Sequence, residues 1–267
     1  MLKITSRDNQ RLKYARQVRD GNVENLIYVE GARLAEEALR SNLKIYDVLF
    51  TESFSSAERG QFFLQSIENY NHAEVSENIF DSLSDTKNSQ GIIVVCEKPP
   101  TGANFIERNL SANETLPLVV VLHQINNPAN LGAILRTCEA VNTAGVILTK
   151  NSADVFSPKA LRGAMGASFR IALWTEADFY KVLDWARMKN LISVCADVNA
   201  SKSYSEIDWE KPRLLIFGSE AHGLSAEQRE LIDESLLIPM ENEVESLNLA
   251  VSCGVILFEA KRWKSKK

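Results

Sequence analysis

The sequence predicts an α/β protein of two parts, a parallel-sheet C-terminal domain and a smaller α/β N-terminal domain. In the second half, helix-like stretches separate most of the continuous apolar runs, as in repeated βαβ units. Continuous rather than alternating runs are typical of strands buried on both faces of a parallel sheet. Residues 98–117 are rich in Pro, Asn and Gly, with little periodicity. We therefore predict a first domain at 1–98, a linker at 99–116 and a second domain at 117–267.

Composition narrows the possible classes of protein. The 267 residues are 45% hydrophobic and 24% charged, values typical of a soluble globular protein. There is no run of about 18 apolar residues and no secretory apolar core near the N-terminus, so we expect a cytoplasmic protein without a membrane span. No GxGxxG follows any predicted strand, which disfavours a dinucleotide dehydrogenase and the common Rossmann methyltransferases.

Cysteines and histidines give no sign of a metal site. The four cysteines are far apart in apolar surroundings and form no CxxC pair, so we expect reduced, buried thiols. The three histidines show no metal-ligand spacing with Cys, Asp or Glu, and we predict no metal.

The first domain is predicted to begin with a basic helix. Ser6 is the expected N-cap of a helix over 7–19 that ends near Gly21 and has one apolar line, Leu12, Ala15 and Val18. The elements expected after it are a strand at 26–29, a helix at 32–40, a strand at 45–50, a helix at 56–68 and a strand at 92–96.

Basic residues cluster on this first helix although the net charge of the chain is −5. Lys13, Arg16 and Arg19 form a line at spacing i, i+3, i+6. Clustered charge can bind phosphate even on an acidic protein. The alternative is a basic terminus that only aids solubility. The candidate RNA contacts of this segment are Arg7, Arg11, Lys13 and Arg16.

The second domain contains five predicted strands and three blocks in which a polar or glycine turn follows an apolar run. The strands are 118–122, 145–149, 191–195, 213–217 and 235–239. The first block is NNPANLGAILRT at 126–137, where Asn126 or Asn127 can cap a helix with Pro128 at its first position. Arg136 lies on the same face as Gly132, which allows another group to approach closely. An ordinary surface arginine is equally consistent with this spacing.

The second block is IFGSEAHGLS at 216–225. Gly218 and Gly223 permit positive φ and close backbone approach, and Glu220 either orders the loop or touches a substrate. The alternative is a plain strand–helix turn in which Ser225 caps the helix predicted at 226–234.

The third block is IPMENEVESLNLAVS at 238–252, where Ser246 is the expected N-cap of the last helix, over 246–263. That helix is apolar on almost every side, which indicates burial on more than one face. A dimer through this helix is one interpretation, and a central helix of a monomer is the other. A further segment, SPKALRGAMGASFRIAL at 157–173, offers Lys159, Arg162 and Arg170 either as phosphate contacts or as ordinary surface charges.

These three blocks, in this order, resemble the SpoU/TrmH branch of the SPOUT RNA methyltransferases, over nearly the whole chain. The resemblance implies a C-terminal trefoil knot, S-adenosylmethionine as cofactor and 2′-O-ribose methylation of structured RNA. From the apolar last helix we predict a homodimer through the C-terminal domain. The resemblance also implies catalytic roles for Asn130, Arg136, Glu220, Ser246 and Asn248. The cofactor positions it implies are Gly218, Ile238, Met240 and Leu247. The family proposal for Arg136 includes activation of the 2′-hydroxyl as a base, but an arginine is normally protonated, so we favour electrostatic stabilisation.

The N-terminal part resembles the L30e-like RNA-binding domain that precedes many members of this family, through YVEGARLAEEAL at 28–39 and QGIIVV at 90–95. Members with this extra domain often act on ribosomal RNA, which we therefore expect as the substrate, with transfer RNA as the alternative. A different class of function is an RNA-binding or ribosome-assembly factor that kept the fold and lost catalysis. Methylation of a base is disfavoured by the likeness of the first block to ribose-modifying members.

Overall fold

A computed structural model describes residues 2–112, 115–242 and 244–264 of the chain. Residue 1, residues 113 and 114 of the predicted linker, residue 243 of the third block and residues 265–267 lie outside the described residues. The strands are β1 (Lys3–Ile4), β2 (Leu26–Glu30), β3 (Ile45–Phe50), β4 (His72–Val75), β5 (Ile92–Glu97), β6 (Leu116–Leu122), β7 (Thr143–Thr149), β8 (Leu173–Ala177), β9 (Ile192–Ala196), β10 (Arg213–Phe217) and β11 (Glu234–Leu236). The helices are α1 (Gln10–Arg19), α2 (Ala32–Arg40), α3 (Glu52–Ser56), α4 (Glu58–Ser66), α5 (Glu77–Phe80), α6 (Ala103–Ser111), α7 (Pro128–Val141), α8 (Pro158–Ala164), α9 (Ala167–Arg170), α10 (Phe179–Met188), α11 (Ala226–Glu230) and α12 (Leu249–Lys264).

The first compact unit holds the residues up to Pro99 together with the segment Val155–Phe169. Its centre is a mixed sheet of order β1-β4-β3-β5-β2. Strands β1, β4 and β3 are parallel, and β5 is antiparallel to both of its neighbours. The predicted apolar line of α1 is confirmed, since Leu12, Ala15 and Val18 are buried in the core of this unit.

Helix α1 begins later than predicted. Asn9 caps it, because its side-chain oxygen accepts a hydrogen bond from the backbone N–H of Arg11 at 2.9 Å. The prediction of Ser6 as the cap is wrong. The Ser6 hydroxyl accepts from the backbone N–H of Asp8 at 3.3 Å, in the turn that follows β1. Ser6 and Asn9 are both good capping residue types. Because Ser6 follows the paired strand β1, it stays outside the helix.

The helix predicted over 56–68 is confirmed as α4, with the narrower bounds Glu58–Ser66, and a separate short helix that was not predicted, α3, precedes it. Thr51 caps α3 by accepting from the backbone N–H of Phe54 at 3.3 Å, and Ala57 between the helices is extended, with ψ 145°. A Cβ at Gly60 would lie 1.8 Å from the carbonyl oxygen of Phe54. The close approach of α4 to the end of α3 therefore requires a glycine at this position.

The second unit holds Pro100–Asp154 and the residues from Arg170 onward. Its sheet has the order β11-β9-β10-β6-β7-β8, and every neighbouring pair is parallel. The predicted α/β class with a parallel sheet is thus confirmed, although β8 was not predicted and β11 is shorter than the strand expected at 235–239. The carboxyl ends of these strands lie along one edge of the sheet. The trefoil knot stays a prediction.

Part of the predicted linker is a helix of the second unit. Ile106 of α6 is fully buried against this sheet. A Cβ at Gly145 of β7 would lie 2.7 Å from the Ile106 Cγ1, so the glycine leaves the space that Ile106 fills. A short helix that buries so few side chains has weak periodicity, which is why the sequence did not predict it. The predicted boundaries at residues 98 and 117 stay predictions.

The last helix, α12, begins at Leu249 and has one buried and one exposed apolar face. Asn248 caps it, with its Oδ1 accepting from the backbone N–H groups of Ala250 at 2.9 Å and Val251 at 3.4 Å. The prediction that Ser246 caps this helix is therefore wrong. The buried face consists of Cys253, Ile256, Leu257 and Ala260, while Val251 and Phe258 are 51% and 57% exposed. None of the helices in the described part of the chain has the length and apolarity needed to cross a membrane.

Candidate active site

A cavity of about 560 Å³ lies in the second unit, at the carboxyl edge of the sheet. Its walls are the segments that follow β9, β10 and β11, together with the beginning of α12 and Asn130 of α7. Ligands of open parallel sheets bind at this edge, and the volume lies in the usual range for small-molecule sites. The three sequence blocks, which are far apart along the chain, therefore meet at one cavity.

A chain of hydrogen bonds joins one side chain from each block. Glu220 Oε1 accepts from Asn130 Nδ2 at 2.8 Å, and Glu220 Oε2 accepts from the backbone N–H of Asn126 at 3.1 Å. Asn130 Oδ1 in turn accepts from Asn248 Nδ2 at 3.1 Å. A carboxylate only accepts, so the Asn130 amide turns its nitrogen to Glu220 and its oxygen to Asn248. The structure brings these three residues together, and their catalytic roles stay predictions.

Asn248 uses both ends of its amide. Its nitrogen donates to Asn130, while its oxygen caps α12. The N-terminus of α12 is thereby connected to α7, against which α12 packs. Displacement of Asn248 would disturb both the helix start and the orientation of Asn130.

The turn after β10 depends on Gly218. The backbone of Ser219 and Gly223 exchanges two hydrogen bonds, of 3.1 and 2.9 Å, which fold the turn back on itself. A Cβ at Gly218 would lie 2.3 Å from the carbonyl carbon of Gly223 and 2.6 Å from the backbone nitrogen of Leu224. Only glycine allows this approach. Gly223 has φ +64°, so both glycines singled out in the sequence have a structural reason.

The remaining predicted cofactor positions also line the cavity. Ile238 and Met240 lie in the segment after β11. Leu247 and the predicted catalytic residue Ser246 lie in the exposed segment before α12, which is neither helix nor strand. Apolar side chains thus line the cavity beside the polar Glu220 chain. The roles of these residues stay predictions.

Arg136 is exposed on α7 and is not among the residues that line the cavity. Asn127 caps this helix, accepting from the backbone N–H of Ala129 at 2.9 Å, with Pro128 at the first position as predicted. Gly132, one turn before Arg136, is buried. Among the residues that the structure describes, no carboxylate forms an ion pair with the Arg136 guanidinium. Its charge is therefore not neutralised by a described neighbour.

The loop that follows β9 was not predicted from the sequence as part of the site. Asp197 and Asn199 line the cavity, and Asp197 Oδ2 accepts from Arg229 at 3.0 Å. Asp197 Oδ1 accepts from the backbone N–H of Asn199 at 2.8 Å. A usable signal was present, since polar residues follow the predicted strand 191–195 and every strand of a parallel sheet ends at the same edge.

All four cysteines are free and buried, as predicted. Cys195 lines the cavity, but burial raises its pKa to about 11, so its thiol is neutral at pH 7. A neutral thiol is a poor nucleophile, and we assign it no chemistry. No group of His, Cys, Asp or Glu within the described ranges has the arrangement of a metal site.

The predicted RNA contacts of the first unit all have partners within the protein. Arg11 forms a two-pronged ion pair with Asp47, and Lys13 lies 3.2 Å from Asp8. Arg16 donates to the Ser82 hydroxyl at 3.1 Å and to the Arg7 carbonyl at 3.3 Å. Arg7 itself donates to the carbonyl of Asn78 at 3.4 Å. Asp47 and Asp8 thus pair with Arg11 and Lys13, whereas Arg7 and Arg16 donate to uncharged oxygens.

The segment at 157–173 forms two short helices, α8 and α9, with ion pairs on two of its three basic residues. Arg162 donates to Asp85 at 2.7 Å within the first unit. Arg170 pairs with Glu139 at 2.5 Å within the second. RNA contact by any of the predicted basic residues stays a prediction.

Comparison with known proteins decides the family. The model of the SpoU rRNA Methylase family matches residues 117–258, and that of the MRM3-like substrate binding domain matches residues 9–94. The chain belongs to the SpoU rRNA methylase family. The resemblance inferred from the three blocks is therefore confirmed.

Relatives of this family match along nearly the whole chain. A tRNA/rRNA methyltransferase of Synechocystis sp. is 30% identical over 97% of this chain and 93% of its own length. The 23S rRNA (guanosine(2553)-2′-O)-methyltransferase RlmP of Bacillus subtilis is 27% identical over 97% of this chain and 98% of its own. The crystal structure of an AdoMet-bound rRNA methyltransferase from Sinorhizobium meliloti has a TM-score of 0.83 and 26% identity, and the match covers 97% of each chain.

Proposed function

We propose that this protein transfers a methyl group from S-adenosylmethionine to a ribose 2′-hydroxyl of ribosomal RNA. The observation that carries the proposal is the hydrogen-bonded chain of Glu220, Asn130 and Asn248 at the wall of the cavity. It links the three sequence blocks in a member of the SpoU rRNA methylase family. RlmP of Bacillus subtilis, a relative matched along nearly its whole length and named as a 23S rRNA 2′-O-methyltransferase, supports the choice of substrate.

The cavity fits S-adenosylmethionine, a small molecule with apolar and polar parts. Ile238, Met240 and Leu247 offer apolar contacts, and Gly218 lines the cavity in a turn that only glycine allows. When bound, S-adenosylmethionine supplies an electrophilic methyl group on a sulfonium sulfur. Glu220 and Asn130, fixed by their hydrogen bonds, would keep this wall of the cavity in one arrangement before the ligand arrives.

Arg136 is proposed to act on the RNA side of the reaction. A ribose 2′-hydroxyl is a poor nucleophile, and negative charge would develop on its oxygen as its proton passes to water. That charge would be lost again as the oxygen bonds to the methyl carbon and the C–S bond electrons leave with the demethylated cofactor. The guanidinium stays protonated at neutral pH. It would therefore stabilise the developing alkoxide or hold the adjacent phosphate. Ser246 lines the same cavity and is proposed to help position the ribose.

The protein is further inferred to be a homodimer through its C-terminal unit. Val251 and Phe258 are large apolar side chains that lie exposed on α12. Exposed apolar side chains on one helix are typical of an interaction surface. The cytoplasmic location expected from the sequence stays a prediction.

Two measurements on the purified protein test the proposed function. Titration calorimetry with S-adenosylmethionine and with its demethylated product should detect binding, and radiolabelled methyl should then appear on ribosomal RNA. Absence of cofactor binding by folded protein would favour the non-catalytic RNA-binding factor. Label on transfer RNA alone would keep the reaction and replace the substrate.

A further inference from the structure

His123 is a buried side chain at the end of β6 that neither the sequence blocks nor the proposed chemistry uses. It is 6% exposed, and its ring packs on Phe179 with 4.6 Å between the ring centroids. Its Nδ1 lies 3.0 Å from the Thr149 hydroxyl, and its Nε2 lies 3.1 Å from Gln228 Nε2. The imidazole therefore bridges the end of β7 and the beginning of α11.

The neighbouring hydrogen bonds determine the protonation state and the tautomer of the His123 imidazole. Gln228 Oε1 accepts from the backbone N–H of Ser225 at 3.0 Å, so its NH₂ group is the part that faces His123. An amide NH₂ only donates, and His123 Nε2 must accept with its lone pair. The proton is then on Nδ1, which donates to the Thr149 oxygen. His123 is held as one neutral tautomer.

Gln228 connects this bridge to the turn that carries Glu220. Gln228 and Ser225 form a reciprocal capping box at the start of α11, with the Gln228 backbone N–H donating to the Ser225 hydroxyl at 3.2 Å. Helix α11 has only five residues, so its own backbone hydrogen bonds hold its start weakly. The contact between Gln228 and His123 thus anchors the C-terminal end of residues 218–225, at Ser225.

Glu220 holds the N-terminal part of the same segment. Its carboxylate accepts from Asn130 and from the backbone of Asn126, three residues after His123. The segments that follow β6 and β10 are therefore fastened to each other twice, once through Glu220 and once through His123 with Gln228.

We propose that His123 and Gln228 are positioning residues for methyl transfer, which keep residues 218–225 folded against the β6–α7 connection and hold Glu220 beside Asn130. This inference rests on the proposed function, since it assigns the cavity at Glu220 to the cofactor. His123 does not line the cavity. It acts through Gln228 and Ser225 rather than on the reacting atoms.

Two substitutions of His123 separate the anchor from simple packing. In His123→Gln, the side-chain carbonyl occupies the place of Nε2 and can accept from Gln228. In His123→Asn, the shorter amide replaces Nδ1, can donate to Thr149 and does not reach Gln228. Both variants replace the imidazole with an uncharged amide. Both also lose the ring contact with Phe179, so a role confined to that contact predicts loss in both variants.

The readouts are the KM for S-adenosylmethionine, kcat at saturating cofactor, and amide exchange of residues 218–228. His123→Asn should raise this KM about tenfold, the effect of one lost hydrogen bond, while kcat changes less. It should also speed exchange of the Gly223 amide, which is bonded to Ser219. His123→Gln should restore KM to within about twofold of the wild type, with slow exchange.

Equal loss in both variants, or no change in either, would overturn the anchor. Ser225→Ala is the matched control, because it removes the hydroxyl side of the capping box and leaves the contact between Gln228 and His123 in place. Amide exchange needs neither cofactor nor RNA. A wild-type protein that does not methylate RNA would therefore refute the proposed function, while the exchange of the two His123 variants would still decide the anchor.

Discussion

Gly218→Ala is expected to block cofactor binding in a protein that still folds. The added Cβ would meet backbone atoms of Gly223 and Leu224 at 2.3 to 2.6 Å, against 3.4 Å or more for ordinary contact. The colliding atoms are main chain, so no side chain can rotate away. The 218–225 turn would have to move by about 1 Å, and overpacking of this kind costs about 1–3 kcal/mol.

This strain is local to the turn that forms one wall of the cavity. If binding requires the native turn, most of the cost appears as lost affinity, and 3 kcal/mol corresponds to roughly a hundredfold. Titration calorimetry with the demethylated cofactor measures this loss directly. Circular dichroism and the thermal midpoint show whether the variant is folded.

Gly223→Ala is the matched control in the same turn. A Cβ at Gly223 meets no atom within 4 Å, although its φ of +64° makes alanine strained there. The strain of one left-handed residue is about 1–2 kcal/mol, so the affinity loss should be at most about thirtyfold and smaller than for Gly218→Ala. Unchanged binding by Gly218→Ala, or a larger loss in Gly223→Ala, would show that the close backbone approach at Gly218 does not control cofactor affinity.

The remaining predictions concern the reaction, the RNA, pH and assembly. Arg136→Ala should lower methyl transfer by about a hundredfold or more with cofactor affinity unchanged, and wild-type turnover would contradict its assigned role. Lys13→Gln with Arg16→Gln should weaken RNA binding and reduce the slope of log affinity against log salt by about one to two, whereas an unchanged slope would exclude this surface as an RNA contact. Burial lowers the pKa of His123, so below about pH 6.5 the unfolded state binds more protons than the folded state. The free energy of unfolding should therefore decrease as the pH is lowered through this range. Chemical unfolding of His123→Gln should lack this dependence. Phe258→Glu should convert the dimer to a monomer in analytical ultracentrifugation, and a wild-type monomer would refute the dimer.

Local signals predicted those elements whose determinants are local. Asn127 and Pro128 mark the start of α7, and β10 was predicted with its observed bounds because all five of its residues are buried. Leucine and alanine at helical spacing likewise gave the bounds of α2. In these cases capping, periodicity and burial favour the same structure.

Tertiary contacts decided the cases in which the sequence offered two choices. Ser246 and Asn248 are both good capping residue types, and the hydrogen bond between Asn248 and Asn130 is formed only in the folded protein. The helix that contains Ile106 depends on space left by a distant Gly145. Strand β4, HAEV, has four residues with little pattern and is defined by its pairing with β1 and β3.

In the candidate site, too, some features could be predicted from the sequence and others depend on tertiary contacts. Asn130, Glu220 and Asn248 meet in the structure, whereas Arg136 does not line the cavity. All four were implied by the family resemblance that the three blocks carry. The blocks did not predict that Glu220 is held by Asn126 and Asn130, nor that the loop after β9 completes the wall. The partners of Glu220 depend on strand order, which no local pattern encodes, whereas the loop after β9 was marked by the polar residues that follow the strand predicted at 191–195.

The most direct test of the account is the chemical identity of the methylated product. The purified protein is incubated with ribosomal RNA and radiolabelled S-adenosylmethionine, and the RNA is then digested to nucleosides and separated by chromatography. Methyl transfer to the ribose 2′-hydroxyl predicts label in a 2′-O-methyl nucleoside with wild-type protein and its loss with Arg136→Ala. Label in a base-methylated nucleoside, or no label from protein that binds the cofactor and ribosomal subunits, would contradict it.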